Sequence, residues 1–171
     1  MTEFPLSDGR GRTLVSLDLI DDVDGDVPVT MSPCDCSVVT VVWNAKVLFG
    51  FNVERERWEL PGGSVEVGES DRDAAIRELV EETGIQVDDA ALAARAVLRF
   101  EDTATEIVAA VFVVVVQSAP VLVESDELQN FTWWDPADEP FEGQCLLDAV
   151  AVRHSLSHLD WDSAERSGRL D

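Results

Sequence analysis

Three glutamates on one predicted helix are the residues of this chain best suited to chemistry. Glu78, Glu81 and Glu82 have the spacing i, i+3 and i+4, which places their side chains on one face of an α-helix. Like charges at this spacing repel one another and weaken a helix. Divalent cations that prefer oxygen ligands, Mg²⁺ or Mn²⁺, would compensate this repulsion. The alternative is a solvated face on which Arg77 pairs with Glu81.

A glycine-rich loop leads into this helix, and both helix ends carry capping signals. Ser70 is a good N-cap with Asp73 three residues later, so side-chain oxygens can accept hydrogen bonds from the first free backbone N–H groups. Gly84 suits the left-handed residue just past a helix end. The apolar residues fall on the face opposite the glutamates and are predicted to anchor the helix in the core: Ala75, Ile76, Leu79 and Val80.

The complete spacing of this segment resembles the signature of the Nudix hydrolase superfamily. The defined positions are Gly63, Glu69, Arg77, Glu78, Leu79, Glu81, Glu82, Gly84 and Ile85. So long a rigid pattern is far more specific than a lone glycine motif. The resemblance implies an α/β fold, the α/β/α sandwich with a mixed β-sheet. It also implies Mg²⁺-dependent hydrolysis, with Mn²⁺ as an alternative metal, of the pyrophosphate bond in a nucleoside diphosphate linked to another moiety.

The same resemblance implies roles for individual residues. Glu81 and Glu82 would be the principal metal ligands, aided by the Gly62 carbonyl, and Glu78 would be a further ligand or the base. Arg77 would orient the glutamates by salt bridges.

Residues outside this group are implied at the edge of the site. Glu69 would lie beside the metal cluster. Some members of the superfamily use a base on a loop before the last strand, where Glu124 and Glu127 are the candidates. Glu127 is therefore a predicted catalytic residue together with Glu78, Glu82 and Arg77, and a solvated loop carboxylate is the alternative for Glu124 and Glu127.

The segment before the glycine loop supplies the predicted substrate-binding residues. Arg55 and Arg57 either hold phosphate oxygens or are solvated loop arginines. Trp58 is the third candidate, although the resemblance implies a structural residue rather than one that stacks on a base, because family members usually carry an aromatic residue here, followed one residue later by an aliphatic residue and Pro-Gly-Gly.

The chain is strongly acidic, with 35 Asp and Glu residues, 12 Lys and Arg residues and a net charge of −23. Such a field repels nucleic-acid backbones and free anionic substrates, so we expect no nucleic-acid partner. Only Arg55, Arg57 and Arg99 are expected near the cleft. Binding should therefore depend steeply on Mg²⁺, and monovalent salt should not weaken it. Salt adaptation and an arginine-favouring genome both explain this composition.

The length of 171 residues suits a single domain. We predict a flexible tail over residues 1–12, one Nudix domain over 13–160 with its motif at 63–85, and a C-terminal tail over 161–171. No apolar run reaches the roughly 18 residues of a membrane span and no signal peptide is evident, so a cytoplasmic protein without a membrane partner is expected. The three cysteines are expected to be free thiols rather than a zinc site.

Apolar alternation and turn signals predict the other elements. These are strands at 13–20, 38–43, 46–52, 93–100, 107–117 and 131–134, and a helix at 144–159. Asn44-Ala45 is the predicted hairpin turn, the strand 107–117 is expected in the sheet centre, and the acidic run 21–26 is expected to be a polar turn. The inward-facing side chains predicted for the second helix are Leu146, Leu147, Val150 and Leu156.

Markers of several Nudix subfamilies are absent, which favours a small MutT-like enzyme acting on nucleoside triphosphates. A pyrophosphatase for nucleotide sugars or ADP-ribose is the alternative within the class. A catalytically silent nucleotide-binding module and a prenyl diphosphate isomerase are alternatives from other classes, and the intact motif argues against both. The expected partner is a nucleotide-like small molecule. A homodimer is a further expectation from the resemblance, because family members are often dimers.

Overall fold

The computed structural model describes residues 3–20 and 33–158. The predicted polar turn at 21–26 and the C-terminal tail at 161–171 lie outside the described residues. The elements are β1 Leu6–Ser7, β2 Arg12–Leu19, β3 Cys36–Trp43, β4 Lys46–Asn52, β5 Arg57–Glu59, β6 Gly62–Ser64, α1 Asp71–Thr83, β7 Ala91–Phe100, β8 Glu106–Val115, β9 Leu128–Trp134 and α2 Leu146–His158.

The strands form one mixed sheet in the order β1-β2-β7-β8-β3-β4-β5, with β6 paired to β3 and β9 paired to β4. β3 and β8 run parallel, whereas β7 and β8 are antiparallel. β8 lies between β7 and β3 and is buried over most of its length, which confirms its predicted place in the sheet centre.

The two helices cover opposite faces of this sheet. Val41 packs in the same cluster as Leu79 of α1, whereas Val42 packs with Val152 of α2. Successive residues of a strand point to opposite faces, so the helices form the outer layers and the sheet the middle one. The predicted α/β/α sandwich is confirmed.

The predicted hairpin at Asn44-Ala45 is also confirmed. β3 and β4 pair through Val42 with Val47 and Trp43 with Lys46, which leaves a two-residue loop. Asn44 has φ 50° and Ala45 has φ 62°. Two positive φ angles match the turn whose twist suits antiparallel strands, but alanine occupies this region at a steric cost.

The N-terminal segment differs from the predicted flexible tail. Leu6 pairs with Leu14, and β1 therefore extends the sheet. The Asp8 side chain is only 3% exposed, and it accepts hydrogen bonds from the backbone N–H groups of Arg10 at 2.7 Å and Arg12 at 3.0 Å. An aspartate that caps its own turn in this way holds the chain against β2. The content of glycine and charged residues alone did not reveal this ordered turn.

Two predicted core side chains are instead exposed. Val80 is 37% exposed and Leu146 is 37% exposed. In α1 the buried stripe includes Ala75, Leu79 and Glu82, spaced i, i+4 and i+7. Val80 is about 100° away from Leu79 around the axis. In α2 the inward stripe begins one residue after Leu146, and the other predicted side chains, Leu147, Val150 and Leu156, are buried.

Replacing Ala45 by glycine tests the strain in the β3–β4 turn. Glycine adopts positive φ freely, so Ala45→Gly should raise the free energy of unfolding by about 0.5–1 kcal/mol, measured by urea denaturation. Ala137 is an exposed turn alanine that is not among the positive-φ residues. Ala137→Gly is therefore the matched control and should not stabilise the protein. Equal effects of both substitutions would contradict the turn assignment.

Candidate active site

Capping and side-chain bonds fix helix α1 against the sheet. Ser70 is the N-cap and accepts the N–H of Asp73, and Gly84 is left-handed with φ 75°, so both predicted caps are confirmed. The Asp71 carboxylate accepts the N–H of Cys34 at 2.9 Å, and its carbonyl accepts the Ser37 hydroxyl at 2.7 Å. The start of the helix is thus tied to β3.

The glycine loop lies so close to β3 and α1 that only glycine fits at Gly62 and Gly63. A Cβ on Gly62, whose φ is 155°, would lie 2.3 Å from the Ser37 carbonyl oxygen. A Cβ on Gly63 would lie 2.4 Å from Glu78 Oε1. This approach allows the Gly62 N–H to donate to Glu82 Oε2 at 2.7 Å. The glycines therefore bring backbone against the glutamate face.

One guanidinium group connects the carboxylates around this loop. Arg77 binds both oxygens of Glu69, at 2.9 and 3.0 Å, and also Glu78 at 2.7 Å and Glu81 at 3.3 Å. It donates in addition to the Ser64 carbonyl at 3.0 Å. Its hydrogen bonds lower the pKa of Glu69. The Arg77–Glu81 pair considered from the sequence is therefore present, but it is the longest of these ion pairs.

Glu82 is the electrostatically unusual group of the cluster. The residue is 5% exposed, and burial raises its pKa to about 8. The hydrogen bond from Gly62 opposes this shift, whereas the charges of Glu78, Glu127 and Glu59 add to it. Burial also raises the pKa of Glu78, although Arg77 acts in the opposite direction. The cluster thus holds more buried negative charge than its own cations compensate.

The carboxylate oxygens of this cluster suit a hard divalent cation, but the side chains do not point towards one common position. Within residues 3–20 and 33–158, no three His, Cys, Asp or Glu side chains lie close enough together to hold a metal. Arg77 holds Glu78 and Glu81, and Gly62 holds Glu82. The Glu81 side chain is 58% exposed, so it can rotate towards Glu82. Mg²⁺ is usually bound by one or two carboxylates together with waters and substrate phosphate oxygens, so these glutamates would be suitable ligands.

The loop before β9 brings one of its two candidate carboxylates to the cluster. The Glu127 charge raises the pKa of both Glu78 and Glu82, so its carboxylate lies within electrostatic range of them. Glu124 Oε1 instead accepts the backbone N–H of Asn130 at 2.9 Å. The structure therefore separates two glutamates that the sequence left equivalent.

A cleft of about 630 Å³ opens beside the glycine loop on the α2 face of the sheet. Its floor is apolar and includes Leu14, Val38, Leu98, Phe100 and Ala109. Four cationic side chains also line it: Arg10, Arg12, Arg55 and Arg57. The chain has only 12 basic residues, so a third of them surround this one cleft.

The three residues predicted to bind substrate have different surroundings. The Arg57 side chain is 8% exposed and pairs with Asp8 and Glu59. Arg55 is 53% exposed and pairs with Glu59 at 2.9 Å. Trp58 packs in edge contacts with Phe51 and Phe141 and is not among the residues that line the cleft. Arg55 is the predicted residue that remains available to a ligand.

The predicted set of cations near the cleft was wrong in two respects. Arg99 pairs with Glu106 at the surface and does not line the cleft. Arg10 and Arg12 do line it, and sequence reasoning missed them because they lay in the expected tail. The repeated Gly-Arg dipeptide at residues 9–12 was the available signal. The expectation that salt would not weaken binding assumed few cations at the cleft, so it no longer follows.

A further acid that the sequence did not reveal joins α2 to the glycine loop. Asp148, in the first turn of α2, accepts the backbone N–H of Leu60 at 3.0 Å. Burial raises its pKa to about 6, and the charge of Glu59 acts in the same direction. Asp148 also lines the cleft.

Comparison with known proteins decides the family. The sequence model of the NUDIX domain matches residues 36–153. The chain belongs to the NUDIX domain family. No helix of the described Nudix domain is long and apolar enough to cross a membrane.

Solved structures share this Nudix fold. A MutT NUDIX hydrolase from Burkholderia pseudomallei has a TM-score of 0.61 and 24% identity, over 72% of this chain and 98% of that chain. A pyrophosphohydrolase from Bacillus subtilis has a TM-score of 0.65 and 18% identity, over 99% of this chain and 100% of that chain.

Curated relatives match only short segments of this Nudix chain. A putative 8-oxo-dGTP diphosphatase 2 from Mycobacterium tuberculosis is 56% identical over 39 residues, which are 23% of this chain and 28% of that protein. An RNA pyrophosphohydrolase from Dinoroseobacter shibae is 44% identical over 55 residues, which are 30% of this chain and 34% of that protein. The matches thus span about a third of each relative or less.

Without metal, stability should fall as pH rises, because of Glu82. Its pKa is about 8 in the folded protein, against an ordinary value of 4.5. The folded state therefore binds more protons than the unfolded state between these pH values, and the free energy of unfolding decreases with pH across this interval. Each tenfold difference in proton affinity between the folded and unfolded states contributes about 1.4 kcal/mol to the free energy of unfolding.

Glu82→Gln should remove much of this pH dependence, measured by urea unfolding in EDTA at pH 5.5, 7 and 8.5. Glutamine is close in shape and can still accept the Gly62 N–H. Glu81→Gln is the control, since the Glu81 side chain is 58% exposed, and it should leave the slope unchanged. Parallel curves for wild type and Glu82→Gln would disprove the assignment.

Proposed function

We propose that this Nudix domain is a Mg²⁺-dependent hydrolase that cleaves a phosphoanhydride bond of a nucleoside triphosphate. The observation that carries the proposal is the buried Glu82 carboxylate, which the glycine loop holds in place and which forms no ion pair with a basic side chain of residues 3–20 and 33–158. A bound divalent ion would compensate this charge and polarise the phosphate oxygens for attack by water. The nucleotide would occupy the cleft beside the loop.

Each residue of the cluster has a distinct part in this proposal. Glu81 and Glu82 would hold the metal, with the Gly62 carbonyl, and Glu78 would be the further ligand. Arg77 is a positioning residue, because it binds three of the surrounding carboxylates and fixes where they point. Five N–H groups in a planar fork suit this role better than a lysine would.

Glu127 is the proposed general base. It lies on the loop before β9, next to the cluster and exposed to solvent, where a water molecule can reach it. Its carboxylate would accept the proton as the water oxygen forms its bond to phosphorus. The leaving phosphate oxygen departs with the electron pair of the broken P–O bond.

The cleft supports a nucleotide as the substrate. Its volume of about 630 Å³ falls in the usual range for small-molecule sites. It combines an apolar floor, suited to a base, with arginines suited to phosphates. The name of the Mycobacterium tuberculosis relative refers to 8-oxo-dGTP, a nucleoside triphosphate, which agrees with this choice.

Glu82→Gln should nearly abolish Mg²⁺-dependent hydrolysis while the fold is retained. The substitution keeps the size of the side chain and removes a metal-binding charge. The assay is release of phosphate or pyrophosphate from a panel of nucleotides and nucleotide sugars, with Mg²⁺ and with chelator, alongside circular dichroism. Wild-type turnover by the variant at saturating Mg²⁺ would refute the metal assignment.

Glu127→Gln and Glu124→Gln form a matched pair on one loop. Removing a general base typically lowers kcat about 100-fold or more, so Glu127→Gln should do so. Glu124→Gln removes the same charge three residues away and should keep kcat within about twofold of wild type, because its carboxylate binds Asn130 rather than the cluster. If Glu124→Gln is the slower variant, the base is misassigned.

A further inference from the structure

The turn between β1 and β2 presents an arginine to the cleft from outside the family domain. The matched family segment begins at residue 36, yet Arg10, Gly11, Arg12 and Leu14 line the cleft. Asp8 fixes the turn through the backbone N–H groups of Arg10 and Arg12. The cleft of this chain is therefore built partly by an N-terminal hairpin.

Two of the four arginines around the cleft are already committed to internal partners. Arg12 binds Asp8 at 3.5 Å, Glu59 at 3.2 Å and the Cys145 sulfur at 3.4 Å. Arg57 binds Asp8 at 3.3 Å and also Glu59. These two guanidinium groups neutralise buried carboxylates and hold the hairpin to β5.

The other two arginines retain unused donors. The Arg10 residue is exposed, and within residues 3–20 and 33–158 its side chain makes no ion pair or hydrogen bond. Arg55 uses one N–H group, towards Glu59, and half of its side chain is exposed. A guanidinium carries five N–H donors, so both can bind an anion without breaking the internal network.

We infer that Arg10, together with Arg55, binds a third phosphate group of the substrate and so selects nucleoside triphosphates over diphosphate compounds. This inference rests on the proposed function, in which the glutamate cluster holds the two phosphates that flank the scissile bond. β6 contributes Gly62, Gly63 and Ser64 to the same cleft, so the arginines lie along one cavity with the glycine loop. Guanidinium and phosphate form charge-assisted, often bidentate hydrogen bonds.

Charge makes this contact necessary in an acidic protein. The net charge of −23 repels an anionic ligand, and metal ions at the glutamates compensate only the phosphates that they bridge. An additional phosphate needs its own cation. Arg10 is the cleft arginine without an internal carboxylate partner within residues 3–20 and 33–158, and it is placed by a turn that Asp8 preforms.

Arg10→Gln tests the inference, with Arg99→Gln as the matched control. Arg99 is an arginine with a 47% exposed side chain, on the strand β7 that also carries Leu98 and Phe100 of the cleft floor, but it does not line the cleft. The measurements are KM for a nucleoside triphosphate and the inhibition constant of the corresponding diphosphate, at fixed free Mg²⁺. Arg10→Gln should raise KM for the triphosphate about tenfold, as expected for loss of a charged hydrogen bond. The inhibition constant of the diphosphate should stay within about twofold, and Arg99→Gln should change neither.

A second measurement does not depend on catalysis. Inorganic tripolyphosphate is titrated into the protein in EDTA while the backbone amide NMR signals of Gly9 and Gly11 are followed. We expect saturable shifts in wild type and in Arg99→Gln, and an affinity at least tenfold weaker in Arg10→Gln. This result would support the site even if no nucleotide is hydrolysed. Equal affinities in Arg10→Gln and wild type, or equal losses in Arg10→Gln and Arg99→Gln, would overturn it.

Discussion

The hydrogen bond from the Gly62 N–H to the buried Glu82 carboxylate is the constraint on which the site depends. It joins the glycine loop to helix α1 at 2.7 Å, and it requires backbone so close that a Cβ on Gly62 or Gly63 would collide with its neighbours. A neutral amide group compensates only part of a buried negative charge. The geometry therefore leaves a carboxylate whose pKa is about 8 and which a cation would stabilise.

Arg77 compensates the repulsion between the remaining carboxylates, which would otherwise destabilise the helix. Its guanidinium binds Glu69, Glu78 and Glu81 and reaches the Ser64 carbonyl, so one cation organises most of the motif. The same logic recurs around the cleft, where Arg12, Arg55 and Arg57 surround Glu59. Arg12 and Arg57 thus neutralise buried negative charge at Glu59, while the net charge of the chain remains −23.

Local sequence patterns predicted the helices, strands and turns well. They predicted less well which side chains are buried and which residues line the cleft. Capping at Ser70 and Gly84, the turn at Asn44-Ala45 and the apolar run of β8 are set by neighbouring residues, and all were confirmed. The edges of the buried helix faces were predicted less well, because Val80 is exposed and Glu82 is buried. Arg10 and Asp148 reach the cleft through tertiary packing of the first hairpin and of α2, which no spacing in the sequence encodes. Two tertiary contacts distinguish the loop glutamates: Glu124 accepts the Asn130 N–H, and the charge of Glu127 raises the pKa of Glu78 and Glu82.

Counting the protons released when Mg²⁺ binds tests the central claim most directly, because a metal must displace the proton that a buried, uncompensated Glu82 retains near neutral pH. Calorimetric titration of wild type at pH 7, in two buffers of different ionisation enthalpy, gives that number. With a Glu82 pKa of about 8, close to one proton should be released per metal bound. Mg²⁺ binding without any proton release would contradict the account.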